Sequence, residues 1–479
     1  MNFLCATSTG ILAALSFNFP SLSFLIWFSF VPFFFLLENL RGVYLFFYSF
    51  LAAFLFFFFS LFWIGYVTKL GLFFLVIYLS FWWVLFAFIT KFFISKKFCE
   101  VYSIAFLWII FEFLQESIKW GFSWTNLGYS QYLNSFIIQP ADILGVKFIS
   151  WLIIFCNLVI KKMLREKKMV KEFFVFLTII VFCLIYSYWR VNALTFKKTE
   201  KIKLTLIQPN ISQEEKWNPQ KREFILEKLK KLAENTPSDS LVIYPEASFP
   251  FILNKTNFDK FKKFLKEIKR DSLWGVVEEE EGNFFNEAVL VDKGGKIKEE
   301  YKKVKLVPFG EYIPLRKFLF FIPVINTIGD FSCGKREVVF KYKDKKFSVL
   351  ICFEDIFPLY VAKVSKNVDF LVNITNDAWF GGEPEAHQHL AILTLRSIEN
   401  RISSVRCANT GISAMITPCG RIFTLKRANK EVFVEGIKTF FLPLKKERSF
   451  YNKYPELFVF VGAIFTLFIL IKKEEGECR

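Results

Sequence analysis

Cys352 closes the apolar run Ser348-Val349-Leu350-Ile351-Cys352-Phe353-Glu354-Asp355, so a thiol stands at a strand end beside two carboxylates. Two charged motifs precede it, Tyr244-Pro245-Glu246 and Tyr301-Lys302-Lys303-Val304-Lys305-Leu306-Val307-Pro308-Phe309-Gly310-Glu311. In chain order they offer a glutamate base, a lysine cation and a cysteine nucleophile. Acyl transfer through a thioester needs those tools: a thiolate to attack, a base to move the proton, a cation to face the developing oxyanion. Each is weak evidence alone. A glutamate after Tyr-Pro is often a turn carboxylate, a lysine in a run is surface charge, and a cysteine ending a strand is structural. All three at strand edges make a constellation.

The elements that must position them lie between residues 202 and 440. Strands are expected at 202–208, 241–244, 273–278, 286–292, 296–302, 347–352, 368–374, 403–408, 412–417 and 421–424. Helices are expected at 219–234, 258–269, 357–365 and 385–400. Alternating strands and helices make an α/β layered domain. The three candidate residues fall just past strand ends, where such sheets place their sites. The Lys/Glu run at 278–305 reads as solvated hairpin surface.

The rest of the chain is lipid-like. Hydrophobic residues make up 54% of the 479, and phenylalanine occurs 66 times, so a wholly water-solvated form would expose large apolar patches. Apolar spans run at about 3–18, 22–38, 43–66, 70–94, 101–118, 145–160 and 172–189, with an eighth at 455–471. The first is expected to be retained, because no small-residue cleavage site follows it. The expected division is therefore a seven-helix transmembrane domain at 1–190, a catalytic domain at 200–440 and a C-terminal transmembrane helix at 455–472. Glu112 and Glu116 are the charges noted inside the spans, fewer than a transport pathway favours.

The net charge of +18 does not point to nucleic acid, because much of it flanks the apolar spans. It reads instead as topology signal and contact with anionic lipid. Lys161, Lys162, Arg165, Lys167, Lys168 and Lys171 fill the loop after the sixth span, Lys96 and Lys97 the loop after the fourth, and Arg41 the turn after the second. The positive-inside rule makes these loops cytoplasmic, with both termini, including Lys472-Lys473. Residues 190–454 then lie outside, which in a bacterial cell is the periplasmic face of the inner membrane. The loop Lys119-Trp120-Gly121-Phe122-Ser123-Trp124-Thr125-Asn126-Leu127-Gly128-Tyr129 lies on that side, as an interfacial anchor or a substrate-contacting loop. Nine scattered cysteines without a CxxC pair suggest neither a zinc site nor a disulfide framework. Cys5, Cys99, Cys156 and Cys183 are expected to be inert.

Spacing and flanking residues resemble the nitrilase superfamily and, across the whole length, the bacterial apolipoprotein N-acyltransferases. The matches are Pro245-Glu246-Ala247, the stretch Tyr301 to Glu311, and Ile351-Cys352-Phe353-Glu354. Further matches are Asn376-Asp377-Ala378-Trp379-Phe380-Gly381, Arg406-x-x-Asn409-x-Gly411-Ile412-Ser413, and Gln208-Pro209-Asn210 with Lys216-Trp217. The resemblance implies a membrane α-helical bundle carrying an α/β nitrilase-like αββα sandwich with a Glu246–Lys303–Cys352 triad, and no metal or cofactor. It implies a ping-pong cycle. A phospholipid, such as phosphatidylethanolamine, acylates Cys352, and the α-amine of a diacylated apolipoprotein takes the acyl chain. Lys303 and the Phe353 backbone N–H are expected at the oxyanion, with Glu311 and Glu354 holding Lys303 and Glu246. Many members have tyrosine where this chain has Phe353. Trp217 and Trp379 read as lids over the lipid entry. His387 and His389, near Glu383 and Glu385, form a paper metal site, but His389 reads better as a substrate contact or a loop brace. Cys333, in Phe331-Ser332-Cys333-Gly334, reads as a non-nucleophilic loop residue. Two alternatives stand beside this reading: a membrane-tethered amidase in which water resolves the thioester, and a non-catalytic lipid-binding or transport scaffold.

Overall fold

The computed structural model describes the chain except residues 96–99, 119, 195–198, 314–315, 317–329, 445–446 and 478–479, with backbone only at 95 and 472–477. Lys96, Lys97, Cys99 and Lys119 therefore lie outside the described residues, as do the side chains of Lys472 and Lys473. The chain divides into two compact units. The first comprises Met1–Thr195, His387–Glu399 and Ser449–Arg479, and the second Phe196–Ala386 and Asn400–Arg448.

In the first unit, helices form wherever an apolar span was expected. Among the described residues four are long and apolar enough to cross a membrane: Pro20–Asn39, Gly42–Tyr66, Lys69–Ile94 and Lys171–Ala193. The remaining expected spans are helical but shorter or more charged. Asn2–Asn18 has 17 residues, and Leu457–Ile471 is also short. Glu100–Ser117 carries Glu100, Glu112 and Glu116, and Val146–Glu166 carries Lys147, Lys161 and Lys162. The bundle core is aromatic. Trp83 packs at 5.1–5.7 Å against the rings of Phe30, Phe33, Phe56, Phe57 and Trp108. By contrast Phe174, Phe182, Ile185 and Trp189 on Lys171–Ala193 are exposed, as a lipid-facing helix requires. Lys147, which the sequence reading passed over, is buried 2.6 Å from Glu116 and 3.2 Å from Glu456, so no charge of this trio is left unpaired.

Among the described residues the second unit holds thirteen strands: β1 (Lys201–Gln208), β2 (Leu241–Ile243), β3 (Ile252–Leu253), β4 (Ser272–Glu280), β5 (Asn283–Val291), β6 (Ile297–Lys302), β7 (Phe340–Tyr342), β8 (Lys345–Ile351), β9 (Phe370–Thr375), β10 (Ser403–Ala408), β11 (Ala414–Ile416), β12 (Ile422–Thr424) and β13 (Gly436–Pro443). They form two sheets, one ordered β13-β1-β2-β4-β5-β6 with β3 on β4, the other β12-β11-β10-β9-β8-β7. Alternation along each strand sorts the core. Leu204, Leu206, Ile243, Leu273 and Leu290 of the first sheet share one cluster with Phe347, Val349, Ile351, Val372 and Val405 of the second. The opposite face of the first sheet (Val242, Tyr244, Trp274, Val276) packs on helices Arg222–Glu234 and Phe258–Ile268 through Ile225, Leu229, Phe261 and Leu265. Helix Pro358–Val364 lies on the far side of the second sheet, where Ser348 Oγ donates to the Val364 carbonyl at 2.9 Å. This is the αββα order the motifs implied.

Candidate active site

Glu246, Lys303 and Cys352 each follow a strand end, after β2, β6 and β8. Glu246 sits in a tight turn whose next residue, Ala247, has φ +46°, a left-handed conformation unusual for a residue with a side chain. The turn presses on β4. A Cβ at Gly275 would stand 2.5 Å from the Pro245 carbonyl oxygen and 2.6 Å from Glu246 Cα, so only glycine lets the strand pass. The Glu246 carboxylate is buried and fully engaged. Oε1 accepts from Asn286 Nδ2 at 2.6 Å and Oε2 from the Asn376 backbone N–H at 2.9 Å.

Lys303 is 1% exposed. Its backbone N–H donates to the Asn286 carbonyl at 2.8 Å, and its carbonyl accepts from Gly334 N–H at 2.7 Å. Its Nζ lies 2.8 Å from Glu311 Oε1 and 3.6 Å from Glu246 Oε1. Asn286 Nδ2 also reaches Glu311 Oε1 at 2.9 Å, bridging the two carboxylates. Glu311 is fixed in turn by Val307 N–H on Oε2 at 2.8 Å. Burial alone would lower the Lys303 pKa, but Glu311 and then Glu246 outweigh it and raise it, so the side chain is a permanent cation.

Cys352 adopts φ +50° and opens a tight 3-10 turn, Cys352–Ile356. Strain of this kind is held only where surrounding contacts over-determine it. Here Glu354 does so, though not as expected. Its Oε2 accepts from Ile351 N–H at 2.8 Å. Its Oε1 accepts from Val304 N–H at 2.8 Å, Lys305 N–H at 3.0 Å and Tyr301 OH at 2.7 Å. Its hydrogen bonds thus tie the Cys352 turn to the backbone just past Lys303, and none of them reaches Glu246. That differs from the expected brace because two neighbouring backbone N–H groups past β6 lacked ladder partners and took the carboxylate.

The Cys352 carbonyl accepts from Asn373 Nδ2 at 3.1 Å, and Asn373 Oδ1 accepts from Arg406 Nη1 at 2.8 Å. Arg406 also pairs with Asp377 at 3.0 Å. The thiol itself is pushed well above its ordinary pKa, by burial first and then by the Glu246 charge; Lys303 opposes both without overcoming them.

Phe353 is buried with its ring 5.4 Å from Phe357. Trp217 and Trp379 are partly exposed, Trp379 at 48%. Cys333 is exposed. His389 falls in the first unit, buried with its ring 4.9 Å from that of Trp124. The sequence reading missed Asn286, and it marked the motifs of Asn376 and Lys216 without their contacts to Glu246.

A family model described as the apolipoprotein N-acyltransferase N-terminal domain matches residues 9–159, and one described as carbon-nitrogen hydrolase matches residues 203–437. The chain is 32% identical to an apolipoprotein N-acyltransferase of Geobacter metallireducens, over 95% of this chain and 92% of that protein. It is 31% identical to one of Rickettsia prowazekii, over 69% of this chain and 68% of that protein. Among solved structures, an amidase mutant from Nesterenkonia sp. AN1 aligns with 52% of this chain and 92% of its own at 17% identity, with a TM-score of 0.38.

Proposed function

The chain belongs to the apolipoprotein N-acyltransferase family, and on that premise we propose that it moves a fatty acyl chain from a phospholipid, through a thioester on Cys352, to the N-terminal amine of a diacylated lipoprotein. The observation that carries the reading is the convergence of a permanent cation, a buried carboxylate and a strained thiol turn from just past the ends of β6, β2 and β8.

In the first half-reaction the Cys352 sulfur attacks the ester carbonyl of the donor while Glu246 takes the thiol proton. The oxyanion forms opposite Lys303 Nζ and the Phe353 N–H. Collapse breaks the ester C–O bond, and Glu246 returns the proton to the departing lysophospholipid oxygen. In the second half-reaction the amine attacks the thioester and an amide C–N bond replaces C–S. Glu246 accepts the amine proton and delivers it to the Cys352 sulfur. Phosphatidylethanolamine is the proposed donor, and Trp217 and Trp379 are the proposed covers of the acyl entry. The four apolar helices support a membrane protein, and the proposed placement is the bacterial inner membrane with the second unit on the periplasmic side.

Intact-mass analysis of the purified protein in phospholipid micelles tests this. The expected result is one acyl increment on Cys352, present in Cys333→Ser, absent in Cys352→Ala, and discharged by a diacylated peptide with a free α-amine. An increment on Cys333 overturns the nucleophile. Discharge at the same rate without amine replaces the transferase with the membrane-tethered amidase.

A further inference from the structure

Lys216 is the last residue of the short helix Gln213–Lys216 and is 3% exposed. Its Nζ donates to the Glu246 backbone carbonyl at 3.1 Å, the one acceptor it reaches among the described residues. That carbonyl belongs to the peptide entering left-handed Ala247, where the chain has left the β2 ladder. A buried ammonium with a single neutral acceptor is an expensive device for closing a turn, since a neutral donor would do it without desolvating a charge. What the charge adds is its field at Glu246, which is the electrostatic partner acting on Lys216.

We propose that Lys216 is a positioning residue for Glu246: its ammonium pins the turn that carries the base and sets a second positive charge near it, so that the carboxylate stays aimed as Cys352 attacks. The proposal rests on the acyl-transfer reading above. The charged and titratable groups facing Glu246 are then Lys303, Lys216 and Cys352, with Glu311 across the Asn286 bridge and the Asp377–Arg406 pair beyond the thiol. Burial brings the Lys216 pKa down to about 8, within reach of the working range.

The test compares Lys216→Gln, which keeps a donor but no charge, with Lys216→Arg, which keeps the charge. Acylation of Cys352 by phospholipid is followed against pH. The acid limb is expected to move up by about one pH unit in Lys216→Gln, as for loss of a nearby cation. Lys216→Arg is expected to restore the limb and to lose the decline above about 8, because arginine does not deprotonate there. Iodoacetamide alkylation of the Cys352 peptide at neutral pH needs no acyl donor and is expected to slow several-fold in Lys216→Gln only. It therefore reports on Lys216 even where acyl transfer fails. Equal acid limbs in the wild type and Lys216→Gln overturn the proposal and leave a hydrogen-bonded staple. If both variants melt early, a limb still displaced in Lys216→Gln supports the charge role, and an undisplaced limb overturns it.

Discussion

Lys302 and Lys303 are adjacent in the chain and face opposite sides of one sheet. Lys302 Nζ lies 2.7 Å from Glu278 Oε2 and 4.1 Å from the centroid of the Phe285 ring, on the outer face. Lys303 turns inward to Glu311 and Glu246. Extended backbone enforces this split, since successive side chains point to opposite faces. Lys303→Ala is therefore expected to lower the single-turnover acylation rate by about 10²–10³, the usual loss for one oxyanion donor. Lys302→Ala and Lys305→Ala are expected to change it only a few-fold, because Lys305 Nζ rests over the Phe357 ring, 5.5 Å from its centroid. Equal losses in all three would reduce the lysine run to surface charge.

Glu246→Gln separates thiol reactivity from catalysis. The sign follows from the causes of the Cys352 shift: a neighbouring anion disfavours the thiolate, so removing it brings the thiol pKa down. Alkylation of Cys352 near pH 9, about the free-thiol pKa, is expected to accelerate. Acyl transfer is expected to fall by about 10²–10⁴, because the general base is gone. Parallel changes in both rates would show that Glu246 is not the base.

Gly275→Ala probes the seat of the base from the neighbouring strand. The new methyl would meet the backbone of Pro245 and Glu246 rather than a flexible side chain. Overpacking against backbone costs about 1–3 kcal/mol, so thermal unfolding should shift down measurably. Acylation should fall more than tenfold while Cys352 still alkylates. An unchanged melting temperature would mean that the turn relaxes freely, and the base would then not be held by β4.

Two of the three candidate residues were legible because each follows a strand whose apolar run is written in contiguous residues, whereas Lys303 follows the charged strand Ile297–Lys302 and was marked only by its motif. Glu246 follows Leu241 to Tyr244, and Cys352 follows Phe347 to Ile351. Of their surroundings, Glu311 beside Lys303 was expected, but the asparagine contacts were not legible. Asn286 meets Glu246 across 40 positions, and the Asn376 N–H meets it across 130. Such contacts depend on sheet order, which no local pattern carries. Strand β13 escaped notice for a related reason. Gly436-Ile437-Lys438-Thr439 is a weak strand by composition and is held by its register with β1, Lys201 opposite Pro443 through Gln208 opposite Gly436. The sixth span was expected to end at 160, but its helix continues to Glu166. Lys161 is not a loop cation: its Nζ is buried 3.0 Å from Glu100 and 3.3 Å from Glu38.

Those same ion pairs bear on orientation. Lys161 gathers Glu38, at the end of one helix, and Glu100, at the start of another. Lys91 Nζ donates to the Leu37 carbonyl at 2.9 Å. The turn at Arg41, the end of helix Lys69–Ser95, the start of Glu100–Ser117 and the basic segment 161–171 thus share one end of the first unit. Asn18 and Phe59, joined by a 2.7 Å hydrogen bond, mark the other end, because each lies at the far end of its helix. The positive-inside rule makes the basic end the proposed cytoplasmic one. Substituted-cysteine labelling in intact cells is expected to leave position 168 protected and to modify position 254 from outside once the outer membrane is permeabilised. Protection of 254 together with labelling of 168 would invert the chain, put the thiol out of reach of exported lipoproteins and favour the amidase reading.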